Sequence, residues 1–181
     1  AEGGGQIISP NLTTISGRVS IELSGASSVL DLADVTNVDD NSLLAENGAT
    51  LALPGAVTSY SNPNGSQFRA LTGGTLNLSS LTSYTGGTGY QQILANGTSS
   101  LVDMSGVTSF SAGTYYDTDI RAQAGGTVNM SGVTSITTGA VDAIASGAGS
   151  TINFTNLTTL SMNNFSDARR LRAEGGGQII S

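Results

Sequence analysis

Three aspartates are the candidate metal ligands and acid–base groups of this sequence: Asp117, Asp119 and Asp142. Asp119 and Asp142 fall at equivalent positions of successive sequence repeats, so their charges repel unless a cation lies between them. Carboxylate oxygens are the ligands that calcium prefers, which predicts a calcium site here. Arg169 and Arg170 could neutralise the carboxylates instead. Two carboxylates about 5–9.5 Å apart in a cleft could also cleave a glycosidic bond.

The rest of the composition argues against catalysis. The chain has no histidine, cysteine, lysine or tryptophan, which removes most of the side chains that act as general bases and nucleophiles. The aspartates are not part of an EF-hand loop or a Gly-Asp nonapeptide repeat. We therefore expect that the protein is not an enzyme, and that it has no cofactor other than calcium at these aspartates.

A repeated pattern of apolar residues positions the aspartates. The stretch AGGTVNMSGVTSI (residues 124–136) recurs with variations along the whole chain. The first apolar residue after its glycine pair has an equivalent in each copy, at intervals of 21 to 27 residues. These anchors are Ile7, Leu30, Leu51, Leu76, Val102, Val128, Ile152 and Ile179. The variable intervals indicate loops of different length between strands at fixed positions.

The apolar residues of each copy are spaced for short β-strands. The first two alternate with a polar residue, which is the strand period, and no segment has apolar residues at helical spacing. We predict an all-β fold, a right-handed parallel β-solenoid of about seven rungs with three short strands each and 21–27 residues per rung. A bend should keep Phe110 and Ile136 inside, since each follows the previous apolar residue by three positions.

Charge and hydropathy exclude two classes of partner. The net charge is −7, and only 10% of the residues are charged. We therefore expect no nucleic-acid binding, because its affinity comes mostly from cationic contacts to phosphate. No apolar run approaches the roughly 20 residues that span a bilayer, so membrane insertion is not expected either. A surface rich in serine and threonine is typical of a soluble or secreted protein.

The two ends of the sequence are identical over nine residues. AEGGGQIIS occupies residues 1–9 and again residues 173–181. We interpret 1–181 as a single solenoid segment, a 172-residue unit (1–172) followed by the start of the next. A natural tandem array or an engineered overlap would give this pattern, and the lack of a polar capping repeat favours the array. The predicted assembly ends are Gly3, Gly4, Ile7, Gly175, Gly176 and Ile179.

The rungs GGTLNLSSLTS (residues 73–83) and GGTVNMSGVTS (residues 125–135) resemble the repeats of bacterial secreted proteins with a right-handed parallel β-helix, of the adhesin and surface-filament type. The motif is generic, although the resemblance covers the whole chain. It implies an extracellular or cell-surface location and a structural or adhesive role. It carries no catalytic residue over to this sequence.

Two polar columns should face outward and form structural ladders. The first lies between the apolar residues of the first strand, where stacked amides can hydrogen-bond from rung to rung; it comprises Asp31, Asn77, Asp103, Asn129 and Asn153. The second is a threonine in every rung, including Thr82, Thr108 and Thr134. Ligand binding by the first column and ice binding by the second are the alternatives.

Arginines alternate with apolar residues along the third strand of successive rungs: Leu44, Arg69, Leu94, Arg121, Ile144 and Arg172. This alternation could mark a face that packs laterally against another fibre. Arginine stems could equally cover apolar surface within the chain.

The sequence thus predicts a structural segment of an extracellular fibre or adhesin stalk, with copies of the same unit stacked end to end. The first alternative is a β-helical protein that binds or acts on carbohydrate, since glycan contact is compatible with this fold. The second alternative is an ice-binding β-solenoid.

Overall fold

The computed structural model describes residues 1–162 and 170–181, and it contains twenty β-strands and no helix in these residues. All strand pairings are parallel and connect each rung to the next. An isolated bridge between Gly113 and Ala140 is antiparallel. The predicted parallel β-solenoid of about seven rungs is therefore confirmed.

The first side of the solenoid carries the anchor residues. Six of its strands form one sheet, in which Leu51, Leu76, Val102, Val128, Ile152 and Ile179 are in register. The other two pair Ile7 with Leu30. The strands of this side are β1 (Gln6–Ile7), β3 (Val29–Leu30), β5 (Thr50–Ala52), β8 (Thr75–Asn77), β11 (Leu101–Asp103), β14 (Thr127–Asn129), β17 (Thr151–Asn153) and β20 (Gln178–Ile180).

The second side is shorter and less continuous. Its strands are β6 (Ser59–Asn62), β9 (Ser83–Gly86), β12 (Ser109–Ser111), β15 (Ser135–Ile136) and β18 (Thr159–Leu160). A turn closed by the Val133 amide and the Met130 carbonyl separates it from the first side. Ile136 and Phe110 are 0% and 5% exposed, so the predicted bend is confirmed.

The third side is a continuous seven-stranded sheet. Its alternating residues place Ile21, Leu43, Phe68, Ile93, Ile120, Ala143 and Leu171 in one column. Its strands are β2 (Ser20–Ser24), β4 (Ser42–Glu46), β7 (Gln67–Leu71), β10 (Gln91–Asn96), β13 (Thr118–Gln123), β16 (Val141–Ser146) and β19 (Arg170–Glu174).

The core consists of the apolar columns stacked along the solenoid axis. On the second side, Tyr84 stacks on Tyr60 and on Phe110, with ring centroids 5.7 Å and 5.0 Å apart. Burial raises the pKa of Tyr60 and of Tyr84 well above the ordinary tyrosine value. Because Tyr84 lies between the rings of the two neighbouring rungs, its burial depends on both of them.

The corner between the third side and the next rung is a left-handed turn, as the glycine pairs predict. Two consecutive residues have positive φ in several rungs, for example Thr72 (52°) with Gly73 (79°) and Ala124 (50°) with Gly125 (87°). Glycine adopts this conformation without steric cost, whereas Thr72 carries a Cβ-branched side chain there. The following Gly74 is also constrained, since a Cβ would clash with the Ala45 carbonyl.

Candidate functional site

The predicted aspartate site is a network of ion pairs on the third side. Asp119 and Asp142 are in register on adjacent strands, as predicted. Arg121 pairs with both of them, at 2.6 Å from Asp142. Arg170 donates from Nε to Asp142 Oδ1 at 2.7 Å and from its terminal nitrogen to Oδ2 at 3.1 Å. The Arg121 guanidinium thus contacts both carboxylates, whose repulsion required a cation, and Arg170 adds a second guanidinium on the other side of Asp142.

The network sets the ionisation of Asp142. Burial alone would raise the pKa of this carboxyl, but the hydrogen bonds and charges of Arg170 and Arg121 outweigh that effect and lower the pKa below its usual value. The side chain is only 4% exposed. Asp142 is therefore a permanently ionised partner of two arginines at neutral pH.

This geometry gives the calcium prediction no support. Both Asp142 oxygens accept from arginine, and residues 1–162 and 170–181 contain no group of three or more acidic, histidine or cysteine side chains that could hold a metal. The oxygen Oδ1 of Asp117 is buried without a hydrogen-bond partner. Of the two arginines predicted to neutralise the carboxylates, Arg170 pairs with Asp142. Arg169 lies outside the described residues.

Exposed tyrosines lie beside this network. Tyr90 Oη donates to Asp119 Oδ2 at 2.9 Å, and partial burial together with that carboxylate raises the pKa of Tyr90 to about 12. The backbone of Thr114 joins the two loops by donating to the Gly87 carbonyl. We call the exposed Tyr90, Tyr115 and Tyr116 the tyrosine patch. The sequence did not predict this patch, because its members lie in loops whose length differs from rung to rung.

The Asn/Asp column is a ladder with a second role at the corner. Asn129 donates to Asp103, and Asn153 donates to Asn129, both at 3.1 Å. Each member of the column also accepts from the backbone amide two residues later, as Asn77 does from Ser79 at 3.2 Å. Ala52 occupies this column on the rung between Asp31 and Asn77. The role of Asp31 is therefore confined to the corner, where it accepts from the Ala33 amide. These contacts support a structural ladder.

The threonine column is exposed along its whole length. Thr82 Oγ1 donates to the Thr58 carbonyl at 3.0 Å, and Thr108 Oγ1 donates to the Thr82 carbonyl at 3.3 Å. Thr158 makes the same bond to Thr134 at 3.1 Å. In each of these pairs, the threonine hydroxyl and the backbone amide of one rung thus both donate to the threonine carbonyl of the preceding rung. These bonds support the structural interpretation of this column.

The arginines of the third side cover apolar neighbours in their own chain. Arg121 is in register with Leu94 on one side and Ile144 on the other. Ile144 points outward but is only 9% exposed, because Arg121 and Arg172 flank it. Lateral contact between fibres stays a prediction.

The two copies of the terminal nine residues have the same conformation at opposite ends of the stack. The φ angles of Gly3 and Gly4 are 58° and 84°, and those of Gly175 and Gly176 are 57° and 88°. The turn closes in both copies through the same amide-to-carbonyl bond, from Gly5 to Glu2 and from Gly177 to Glu174. The anchors of the two copies pair with the first side at its two ends, Ile7 with Leu30 and Ile179 with Ile152.

The end rungs expose the apolar columns that the middle rungs bury. Ile7, Leu160 and Leu171 are 45%, 37% and 41% exposed. An open depression of about 620 Å³ lies at the N-terminal end, lined by residues that include Leu12 and Ile15. These side chains are exposed because, within residues 1–162 and 170–181, another rung packs against only one side of each end rung.

The third side also has a buried polar column, which the sequence did not predict. Asn41, Ser66, Gln91 and Thr118 are 0–5% exposed and precede the apolar column of the third side by two residues. Gln91 donates to the Gly87 and Gly89 carbonyls and accepts from Thr118 Oγ1 at 2.8 Å. The column thus satisfies backbone groups of the variable loops. The feature of the sequence that could have predicted this column is a polar residue at the same position of four consecutive rungs.

Comparisons with known proteins found no relative of this chain. No protein-family model, curated protein or solved structure matches this chain. In the described residues 1–162 and 170–181, no helix is long and apolar enough to cross a membrane.

Proposed function

We propose that this chain is a structural segment of an extracellular fibre or adhesin stalk in which 172-residue β-solenoid units stack end to end. The observation that carries the proposal is the duplication of residues 1–9 at 173–181, in one conformation and at equivalent positions of the stack. The proposed role is mechanical and involves no catalysis.

The location of exposed apolar surface supports this role. Three large exposed apolar side chains belong to the apolar columns at the two ends, namely Ile7, Leu160 and Leu171. At the end formed by β20, backbone groups remain on the side opposite β17, as on any strand at a sheet edge. A further unit would pair with these groups and cover the apolar columns together.

Fibre diffraction of assembled material tests the proposal. We expect a meridional reflection near 4.8 Å from the spacing of the rungs. Seven rungs per unit should add a longer period of about 34 Å, given that spacing. Material that stays monodisperse in solution and gives neither spacing would contradict end-to-end stacking.

The tyrosine patch favours carbohydrate binding as a second candidate function. Tyr115 and Tyr116 are 66% and 52% exposed and contact each other edge to face, with centroids 4.9 Å apart. Their exposed rings offer stacking surface to a sugar, and Asp119, which accepts from Tyr90, offers a hydrogen-bond acceptor. A glycan array would test this function, with Tyr115→Ala as the variant and Tyr60→Phe, in the core, as the control. Equal binding by both variants, or none by the native chain, would exclude it.

A further inference from the structure

The register of the junction between two units is visible within this chain. The Ala1 nitrogen donates to the Glu22 carbonyl, and the Ser24 amide donates to the Ala1 carbonyl, both at 2.8 Å. This is the bonding of a parallel bridge between Ala1 and Leu23. Ala173 is the copy of Ala1. In a continuous stack, β2 of the next unit would therefore lie on β19, with its Leu23 opposite Ala173.

We infer that an ion pair between Arg172 of one unit and Glu22 of the next fixes the register of this junction. The inference rests on the proposed end-to-end stacking and deepens it. With Leu23 opposite Ala173, the preceding residues are also opposite each other, and these are Glu22 and Arg172. Directly opposed residues on neighbouring strands are about 4.8 Å apart, which is within reach of a guanidinium and a carboxylate.

The column that contains these residues keeps its charges apart everywhere else. In register from β2 to β19 it comprises Glu22, Leu44, Arg69, Leu94, Arg121, Ile144 and Arg172. Each arginine inside the unit has an apolar residue on both sides. Only the junction brings two charged residues of this column together, and their signs are opposite.

The same structure contains an arginine that pairs with acids of two rungs. Arg121 pairs with Asp119 of its own strand and with Asp142 of the next rung. Arg172 already pairs with Glu174 of its own strand, and its side chain is 52% exposed. Glu22 is exposed and accepts from Ser20 Oγ at 2.7 Å. At the junction Arg172 would likewise have one acid on its own strand and one on the next rung, with Glu22 directly opposite it where Asp142 is diagonal to Arg121.

A two-unit chain, made of residues 1–172 followed by the complete 1–181, tests the inference by hydrogen exchange. The reporter is the Leu171 amide of the first unit, which should donate to the Ser20 carbonyl of the second unit at the junction, two residues before the bridge between Ala1 and Leu23. Glu22→Arg in the second unit, or Arg172→Glu in the first, should speed its exchange about two- to fivefold, the effect of one exposed ion pair. Both changes together should restore the native rate.

The controls separate this ion pair from stacking itself. Arg69→Glu, between two apolar neighbours, should leave exchange at the junction unchanged. If the native junction is protected but the single reversals have no effect, or the double variant is additive, the ion pair is overturned while stacking stands. If the Leu171 amide of the first unit exchanges as fast in the native two-unit chain as in the 1–181 chain, stacking fails and the inference fails with it.

Discussion

The middle and the ends of the solenoid use the same residue types with opposite outcomes. Ile136 and Leu160 are neighbours in one column and in register, yet Ile136 is fully buried and Leu160 is 37% exposed. On the third side, Ile120 is fully buried and Leu171 is 41% exposed. The side chains are equivalent, so the difference comes from the neighbouring rung alone.

This difference shows what determines stability in the fold. A rung buries its apolar residues only between two others, as in any solenoid whose repeats contact their nearest neighbours. The end rungs therefore hold apolar area that a further unit would bury, at about 25 cal/mol per Å². Single substitutions in the middle and at the ends should therefore differ in their cost.

A charge in the middle of the core should have the largest effect. Val133 is fully buried, so Val133→Asp would bury a carboxylate without a partner and cost more than about 4 kcal/mol of unfolding free energy. Thr134→Ser, at the next and exposed position, should be nearly silent. Chemical denaturation measures both, and equal losses would contradict the assignment of inner and outer positions.

The same truncation should cost less at the end than in the middle. Ile136→Ala should lower the unfolding free energy by about 2–5 kcal/mol, whereas Leu160→Ala should cost about 1 kcal/mol because the side chain is already partly exposed. In a two-unit chain, Leu160→Ala in the first unit should approach the cost of Ile136→Ala. An unchanged cost there would mean that the second unit does not cover this rung.

The ion pairs of Asp142 should make stability depend on pH in the acid range. The arginines lower the folded-state pKa of this carboxyl below the value of about 3.9 in the unfolded chain. Its contribution is therefore complete above that value and is lost as pH falls through the folded pKa. Asp142→Asn should cost about 1–3 kcal/mol at pH 7 and progressively less below pH 4. The exposed Asp34→Asn is the control, and a pH-independent loss would contradict this explanation.

Relief of strain at the corner should give a small gain. Thr72 has φ of 52°, a conformation that is unfavourable for a β-branched residue and tolerable for asparagine. Asn47 occupies the equivalent turn position with φ of 53°. Thr72→Asn should therefore raise the unfolding free energy by up to about 1 kcal/mol. Thermal melts measure the change, and a loss of stability would show that the Thr72 side chain makes a contact worth more than the strain.

The fold was predictable from the sequence because each rung repeats the same spacing. Val102 and Val128 share a column by their position in the repeat, and their strands pair in that register. The bend at Ile136 followed from one spacing of three. The exposure of Leu171 was not predicted, since a column pattern contains no information on whether a rung has a neighbour.

The candidate site was predictable only in part. The shared column of Asp119 and Asp142 followed from the repeat, and so did the need for a cation between them. The pairing with Arg121 did not, because it depends on side-chain direction rather than on column position. The buried Gln91 was missed because polar residues next to variable loops are normally exposed.

The length of the two-unit chain tests end-to-end stacking most directly. Small-angle scattering or electron microscopy of the one-unit and two-unit chains would measure the increase in length. A continuous solenoid should lengthen by about 34 Å, which is seven rungs at about 4.8 Å each, and remain a single rigid rod. Two units joined at a variable angle, or lying side by side with no increase in length, would contradict end-to-end stacking.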